Sequence, residues 1–218
     1  MFIHHTCQVI LILLLLFLDT HYSFYSFIHN DTVVIPPYYS TCSYLNNLKE
    51  YYTSLSIPTN VCNSNLLTIF DLSAFVLLQS ISIGDSNFMY VNEFIINNLF
   101  DLKSITIGQN SFTTTRGSYG DNPSRSFHIL NCDQLESISI GAYSFSDYSG
   151  EFELRNLPKL TTIKIGDTTR DSNNFYWSSF VIKGILCDES QLDLPNLNSI
   201  TFGRSVFRGS LSTVISSI

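Results

Sequence analysis

Ionised side chains are scarce in this chain. Only 13% of its 218 residues are Asp, Glu, Lys or Arg, against about 25% in an average globular protein. The 11 basic residues form no cluster and are outnumbered by 18 acidic ones, for a net charge of −7. That argues against a nucleic-acid surface, which needs Lys and Arg in a track to displace counterions from phosphates. Alanine is nearly absent, and past the N-terminus no stretch keeps apolar residues at helical spacing, so a helical bundle is excluded. There is no C-x-x-C and no His pair at zinc-ligand spacing near a cysteine pair. There is no G-x-S-x-G, H-E-x-x-H or phosphate-binding loop. Glu151 and Glu153 read as outward neighbours on one strand rather than as carboxylates facing across a cleft. His128 has no nucleophile motif beside it. The expectation is a non-enzymatic protein with no catalytic residues, no metal and no cofactor.

What is present begins with one long apolar run. Val9 to Leu18 is uninterrupted and is closed by Asp19. Its length fits the core of a signal peptide and falls short of the roughly 20 residues of a membrane span. Residues 1–22 are therefore expected to be a signal peptide or signal anchor, and the protein to be secreted or on the cell surface. Any membrane association would run only through an uncleaved N-terminal segment. An oxidising compartment makes disulfides available. Cys42 and Cys62 flank the start of the patterned region and are a candidate pair. Cys132 reads as a buried thiol, because Leu occupies its position elsewhere in the pattern. Asn30 opens a glycosylation sequon, Asn30-Asp31-Thr32.

The patterned region repeats one phrase. "LQSISIG" begins at Leu78, "LKSITIG" at Leu102, "LESISIG" at Leu135, "LTTIKIG" at Leu160 and "LNSITFG" at Leu197. A degenerate copy starts at Tyr52, so the anchors step by 26, 24, 33, 25 and 37 residues. Eight residues before most anchors stands a Phe: Phe70, Phe94, Phe127 and Phe152. Before Leu197 the nearest candidate, Phe180, is seventeen residues ahead, nine too many. A second Phe follows the motif glycine at Phe88, Phe112, Phe145 and Phe207, and arrives late after Gly166, at Phe175. Alternation of Ile with Ser or Thr is the signature of a strand with one buried face. Phe-x-Ile-x-Asn reads as a second strand, with Asn98, Asn131 and Asn156 also facing inward. The motif glycine reads as the residue that permits a corner. One such unit cannot bury its own apolar face, so stacked units must share a core.

The pattern L-x-x-I-x-I-x-x-(N/S/Y)-x-F resembles leucine-rich repeats, and "CDQLESISIGAYSF", Cys132 to Phe145, resembles their BspA-like type. The resemblance implies a mainly β fold: a leucine-rich-repeat solenoid with about five clear coils plus one degenerate N-terminal coil. Residues 23–66 would form an N-terminal cap containing the degenerate repeat, and residues 67–218 the solenoid proper. It also implies a secreted or surface protein that binds a protein or glycan.

Two kinds of surface could carry binding. The outward strand positions form a ladder of Ser80, Ser82, Ser104, Thr106, Ser137, Ser139, Thr162 and Lys164, continued by Ser54, Ser56, Ser199 and Thr201. This ladder is nearly uniform hydroxyl and fits a solvated sheet. The insertions are more individual. Segment 113–126 carries Arg116, Tyr119 and Arg125, and segment 167–179 carries Arg170, Tyr176 and Trp177, the sole tryptophan. Trp, Tyr and Arg on loops over a rigid scaffold are the usual composition of a binding hot spot. These six are the candidate binding residues. After Phe207 the chain offers no polar cap, so edge-to-edge self-association is a competing expectation.

Overall fold

The structure is a computed structural model that describes residues 28–29, 32–34, 42, 52–115, 117–183, 194–209 and 213–216. The expected leader, the glycosylation site at Asn30, Arg116 and segment 184–193 lie outside the described residues. Among the described residues the protein is mainly β, with no helix.

The strands form two sheets. The first contains β1 (Ile28–His29), β2 (Thr32–Val34), β3 (Ser54–Ile57), β5 (Ser80–Ile83), β7 (Ser104–Ile107), β9 (Ser137–Ile140), β11 (Thr162–Ile165) and β13 (Ser199–Phe202), in that order. The second runs β4 (Ile69–Asp71), β6 (Glu93–Asn97), β8 (Ser126–Leu130), β10 (Glu151–Arg155), β12 (Ser179–Lys183) and β14 (Thr213–Ser216). Every pairing is parallel except β1 with β2. From β3 onward the chain alternates between the sheets, leaving one strand in each per pass. Parallel neighbours normally need a crossover of a dozen residues or more, usually a helix. Here the strand in the opposite sheet is the crossover.

Register explains the recurring phrase. Ile81, Ile105, Ile138 and Ile163 are direct partners in successive strands, and all are buried. In the second sheet Phe94, Phe127, Phe152 and Phe180 align in the same way. Phe180 is therefore in step after all, and the nine extra residues fall after β12, before the last copy of the phrase. A third column consists of Phe88, Phe112, Phe145, Phe175 and Phe207. Its rings stack nearly parallel, with Phe112 to Phe145 at 4.6 Å and Phe145 to Phe175 at 4.9 Å. Burying one such ring is worth about 1.5–3 kcal/mol.

These turn phenylalanines pay a conformational cost that recurs in each pass. All five have positive φ, between 47° and 57°, in a region a bulky residue rarely enters. The residue two before each, such as Asn110 or Tyr143, is also left-handed, at 55° and 63°. Ring stacking along the column offsets that cost.

Between these two left-handed residues sits a buried polar position: Asn87, Ser111, Ser144 or Asn174. Each links neighbouring passes. The Val61 N–H donates to Asn87 Oδ1 (2.7 Å), the Asn87 N–H to Ser111 Oγ (3.1 Å) and the Ser111 N–H to Ser144 Oγ (3.0 Å). The side chains donate in turn to carbonyls at the glycine corner, as Ser144 does to Gly108 (2.6 Å). Turn backbone that would otherwise be buried without partners is thereby satisfied.

Two local expectations need correction. Asn98, Asn131 and Asn156 do not face inward. Asn98 is exposed and the other two are half-buried. Their φ values of 59°, 53° and 53° place them in the left-handed bend that ends each second-sheet strand, which Asn tolerates better than other residues with a Cβ. Side-chain amides still link the passes, from Asn156 to Asn131 (3.0 Å) and from Asn131 to Asn97 (2.9 Å). Of the five motif glycines only Gly166 has the positive φ, 83°, that a glycine corner would use, and at the other four close approach matters more. Gly141 has no positive φ, but a Cβ there would lie 2.6 Å from the Gln109 nitrogen of the preceding pass. At Gly84, Gly108, Gly141 and Gly203 the residue is glycine because neighbouring backbones come that close.

The N-terminal end is stapled by a disulfide between Cys42 and Cys62, both buried. At the opposite end of the first sheet the core is less covered. Ile200 and Phe202 on β13 are 40% and 37% exposed, although their register partners Ile163 and Ile165 are fully buried.

Candidate functional site

The hydroxyl ladder forms two straight rows. Ser54, Ser80, Ser104, Ser137, Thr162 and Ser199 are successive partners, as are Ser56, Ser82, Ser139 and their neighbours Thr106, Lys164 and Thr201. All are half-buried or exposed on the outer face. Lys164 is the single charge in these rows. Such a face can hydrogen-bond along its length but offers little to distinguish one ligand from another.

The insertion at 113–126 divides into a buried base and an exposed tip. Arg125 belongs to the base. It is 3% exposed and its Nη1 pairs with Asp147 Oδ1 at 3.1 Å. Its Nη2 donates to the Met89 carbonyl (2.9 Å), and the guanidinium lies 5.5 Å from the Tyr148 ring centre. Asp147 also accepts from the hydroxyl (2.7 Å) and N–H (3.1 Å) of Thr114. The hydroxyls of Thr113, Thr115 and Ser146 join within 3.1 Å of one another. Sequence alone makes Arg125 a candidate binding residue. Its burial and its pairing with Asp147 make it instead the internal tether of the loop.

The tip carries Tyr119, and here the two insertions meet. Tyr119 stacks on Tyr176 with ring centres 3.9 Å apart and planes 9° from parallel. Trp177 stands edge-on to both, at 6.5 Å from Tyr119 and 5.1 Å from Tyr176. Tyr119 and Trp177 remain 46% and 43% exposed. The local chain explains the meeting. The pass between the two insertions has only a short turn at 146–150, and the first insertion lies over it, with the Gly120 N–H donating to the Ser146 carbonyl (3.1 Å). On the other side, buried Phe175 and Ser178 bracket Tyr176 and Trp177. The Ser178 hydroxyl lies 3.0 Å from the carbonyls of both Tyr148 and Gly150 and shares its one proton between them. Gly209 backs the indole: a Cβ there would fall 2.7 Å from its Cδ2. The three rings therefore form a preorganised aromatic patch, which lowers the ordering cost of binding.

Arg170 lies elsewhere. Its Nε pairs with Asp167 Oδ2 at 3.0 Å and its Nη2 donates to Gln109 Oε1 at 2.8 Å. With Asp85 and Lys164 these residues rim an open cleft of about 410 Å³ above the glycine corners. Hydrogen bonds from the hydroxyl and N–H of Thr169, and then the nearby Arg170 charge, hold the Asp167 carboxyl below its usual range.

On the outer face of the second sheet His128 meets Glu153 and its outward neighbour Glu151, a meeting that the reading of each residue on its own strand does not reveal. His128 on β8 is the register partner of Glu153 on β10. Its Nδ1 lies 3.3 Å from Glu153 Oε2, and Arg155 Nη1 is 3.7 Å from Glu153 Oε1. Glu153 is only 7% exposed despite pointing outward. One ligating atom from each of His128, Glu151 and Glu153 lies within 4.8 Å of the others. The signal that could have found them is the repeat step of 25 residues, which sets position 128 beside 153.

Among the described residues no helix is long and apolar enough to cross a membrane. Compared with family models, curated proteins and solved structures, the chain matches none.

Proposed function

We propose that the chain is a non-enzymatic recognition module, secreted or held at the cell surface, that binds a protein or glycan through loops on a leucine-rich-repeat solenoid. The solenoid would comprise about five clear coils and one degenerate N-terminal coil. Support for that architecture comes from the recurring phrase and from the parallel, in-register strands that carry it. The observation that carries the recognition reading is the meeting of Tyr119, Tyr176 and Trp177 in one exposed patch. Two insertions at different places in the sequence converge there, while the regular face stays almost uniformly hydroxyl. Large, rigid, amphipathic rings are typical affinity anchors. The test is capture of partners from extracellular material by the purified chain, compared with Trp177→Ala. Partners bound through the patch are lost on substitution. Partners retained in full would move recognition away from it.

A second reading, self-association, is favoured by one observation. The in-register apolar residues of β13, Ile200 and Phe202, are partly exposed at an edge strand without charge or proline. Light scattering separates the two readings: growth of mass with concentration supports self-association, and a constant monomer mass opposes it.

A further inference from the structure

We infer that the patch of Tyr119, Tyr176 and Trp177 binds a sugar ring of a neutral glycan. The inference rests on the recognition reading above and narrows its ligand. Unused hydrogen-bonding capacity is the first observation. Each tyrosine carries a hydroxyl and the tryptophan an indole N–H. Among the described residues none of these three groups has a hydrogen-bond partner. A ligand that covered the patch with apolar groups alone would strip water from these polar tips and leave them unpaired, which is costly. A pyranose offers both kinds of contact: C–H groups on its faces for the rings, and hydroxyls around its rim for the tips. The ring planes suit it. Tyr119 and Tyr176 lie 9° from parallel, and Trp177 stands at 68° and 72° to them. A flat ligand stacked on one plane therefore turns its rim toward the other.

Charge selects the class of glycan. The stretches that hold the rings, 117–120 and 172–180, contain no Asp, Glu, Lys, Arg or His. The nearest carboxylates in sequence, Asp121 and Asp171, accept from the hydroxyls of Ser149 (2.6 Å) and Ser205 (3.3 Å). Among the described residues the guanidinium over an aromatic ring is that of Arg125 on Tyr148, and no cation covers these three rings. A cationic ligand is best held with a carboxylate beside the rings, and an acidic one with a basic group. Arg208 precedes Gly209, so the test includes an acidic sugar. Gly209 is the positioning residue. It has no positive φ, yet a Cβ there would lie 2.2 Å from Cε3 of the indole. Its N–H donates to the Tyr176 carbonyl (2.7 Å), a bond that alanine keeps. Gly209→Ala thus displaces the indole without straining the backbone.

The test is Trp177 emission during titration of the purified chain with defined oligosaccharides: neutral hexose and N-acetylhexosamine oligomers and, separately, a uronic acid oligomer. Circular dichroism is the folding control. A saturable emission change with a neutral oligomer is expected. Tyr119→Ala and Gly209→Ala should each weaken that binding by about tenfold or more, the effect of removing a hot-spot ring. In parallel, partners from extracellular material are oxidised with periodate, which cleaves the vicinal diols of sugars. Capture that depends on Trp177 should be lost after oxidation. Trp177-dependent capture that survives periodate, with no response to any oligomer, would assign the patch to a polypeptide. That outcome overturns the glycan and leaves the recognition reading standing, whereas capture unchanged by Trp177→Ala would remove both. Sugar binding indifferent to Tyr119→Ala and Gly209→Ala, or a preference for the acidic oligomer, would overturn the proposal equally.

Discussion

At the scale of single residues, burial decides chemistry. Cys132 occupies the column position filled by Leu99 and Leu157 in the neighbouring passes, and all three are fully buried. Desolvation is the main reason its thiol is pushed up from 9.0 to about 12, outweighing a hydrogen bond to the Leu99 backbone. The folded state thus keeps a proton that the unfolded state releases above pH 9. Stability is unaffected by this group below that pH and falls as pH rises toward 12. Cys132→Leu should remove that contribution and flatten the alkaline limb of a denaturant-midpoint profile, leaving the midpoint at neutral pH similar or higher. Tyr148, whose hydroxyl burial pushes well above 10.0, preserves some alkaline slope in the variant. A profile identical to wild type would mean that Cys132 does not titrate as its burial requires. The same thiol should resist alkylating reagents until the chain unfolds.

At the scale of elements, strands were legible in the sequence and loops were not. Alternation of Ile with Ser or Thr fixes which face of each first-sheet strand is buried, and a recurring phrase fixes the register. Phe180 could not be aligned by counting, because counting does not reveal on which side of a strand an insertion falls. Period-two alternation misplaces Asn98, Asn131 and Asn156, because the strand has ended and each is a left-handed residue. Burial of Arg125 is not legible in the sequence, because its partners, Asp147 and the Met89 carbonyl, come from other passes. The stacking of Tyr119 on Tyr176 was invisible for the same reason: it depends on an intervening turn being short. Arg125 illustrates the energetic consequence. Removing one partner of a fully buried ion pair costs about 3–5 kcal/mol, since the other charge is left uncompensated. Arg125→Ala should lower the unfolding free energy by about that amount in a denaturant titration. A loss below about 1 kcal/mol would restore Arg125 to the surface role first expected of it, as exposed pairs contribute no more than that.

At the scale of the whole molecule, the two ends differ. The N-terminal end is closed by β1 pairing antiparallel to β2 and by the bond between Cys42 and Cys62. A cross-link spanning 20 residues stabilises by about 3 kcal/mol, largely by restricting the unfolded chain. Reduction, or the paired change Cys42→Ser with Cys62→Ser, should lower the unfolding free energy by that order. Equal stability with and without reductant would show that the bond does not staple this end. The middle of the molecule is a regular framework whose aromatic columns and polar ladder hold the insertions in place. At β13, Ile200 and Phe202 are more exposed than their register partners Ile163 and Ile165.

The central claim is that recognition belongs to the aromatic patch rather than to the regular face. Trp177 is the only tryptophan in the chain, so its emission reports on that patch alone. The most direct measurement is Trp177 fluorescence during titration with a tryptophan-free captured partner, alongside binding measured by mass. Emission should shift and saturate together with bound mass, and Ser137→Ala with Ser139→Ala should leave both curves unchanged. Saturable binding with no change in Trp177 emission, lost on substitution of the ladder serines, would contradict the account.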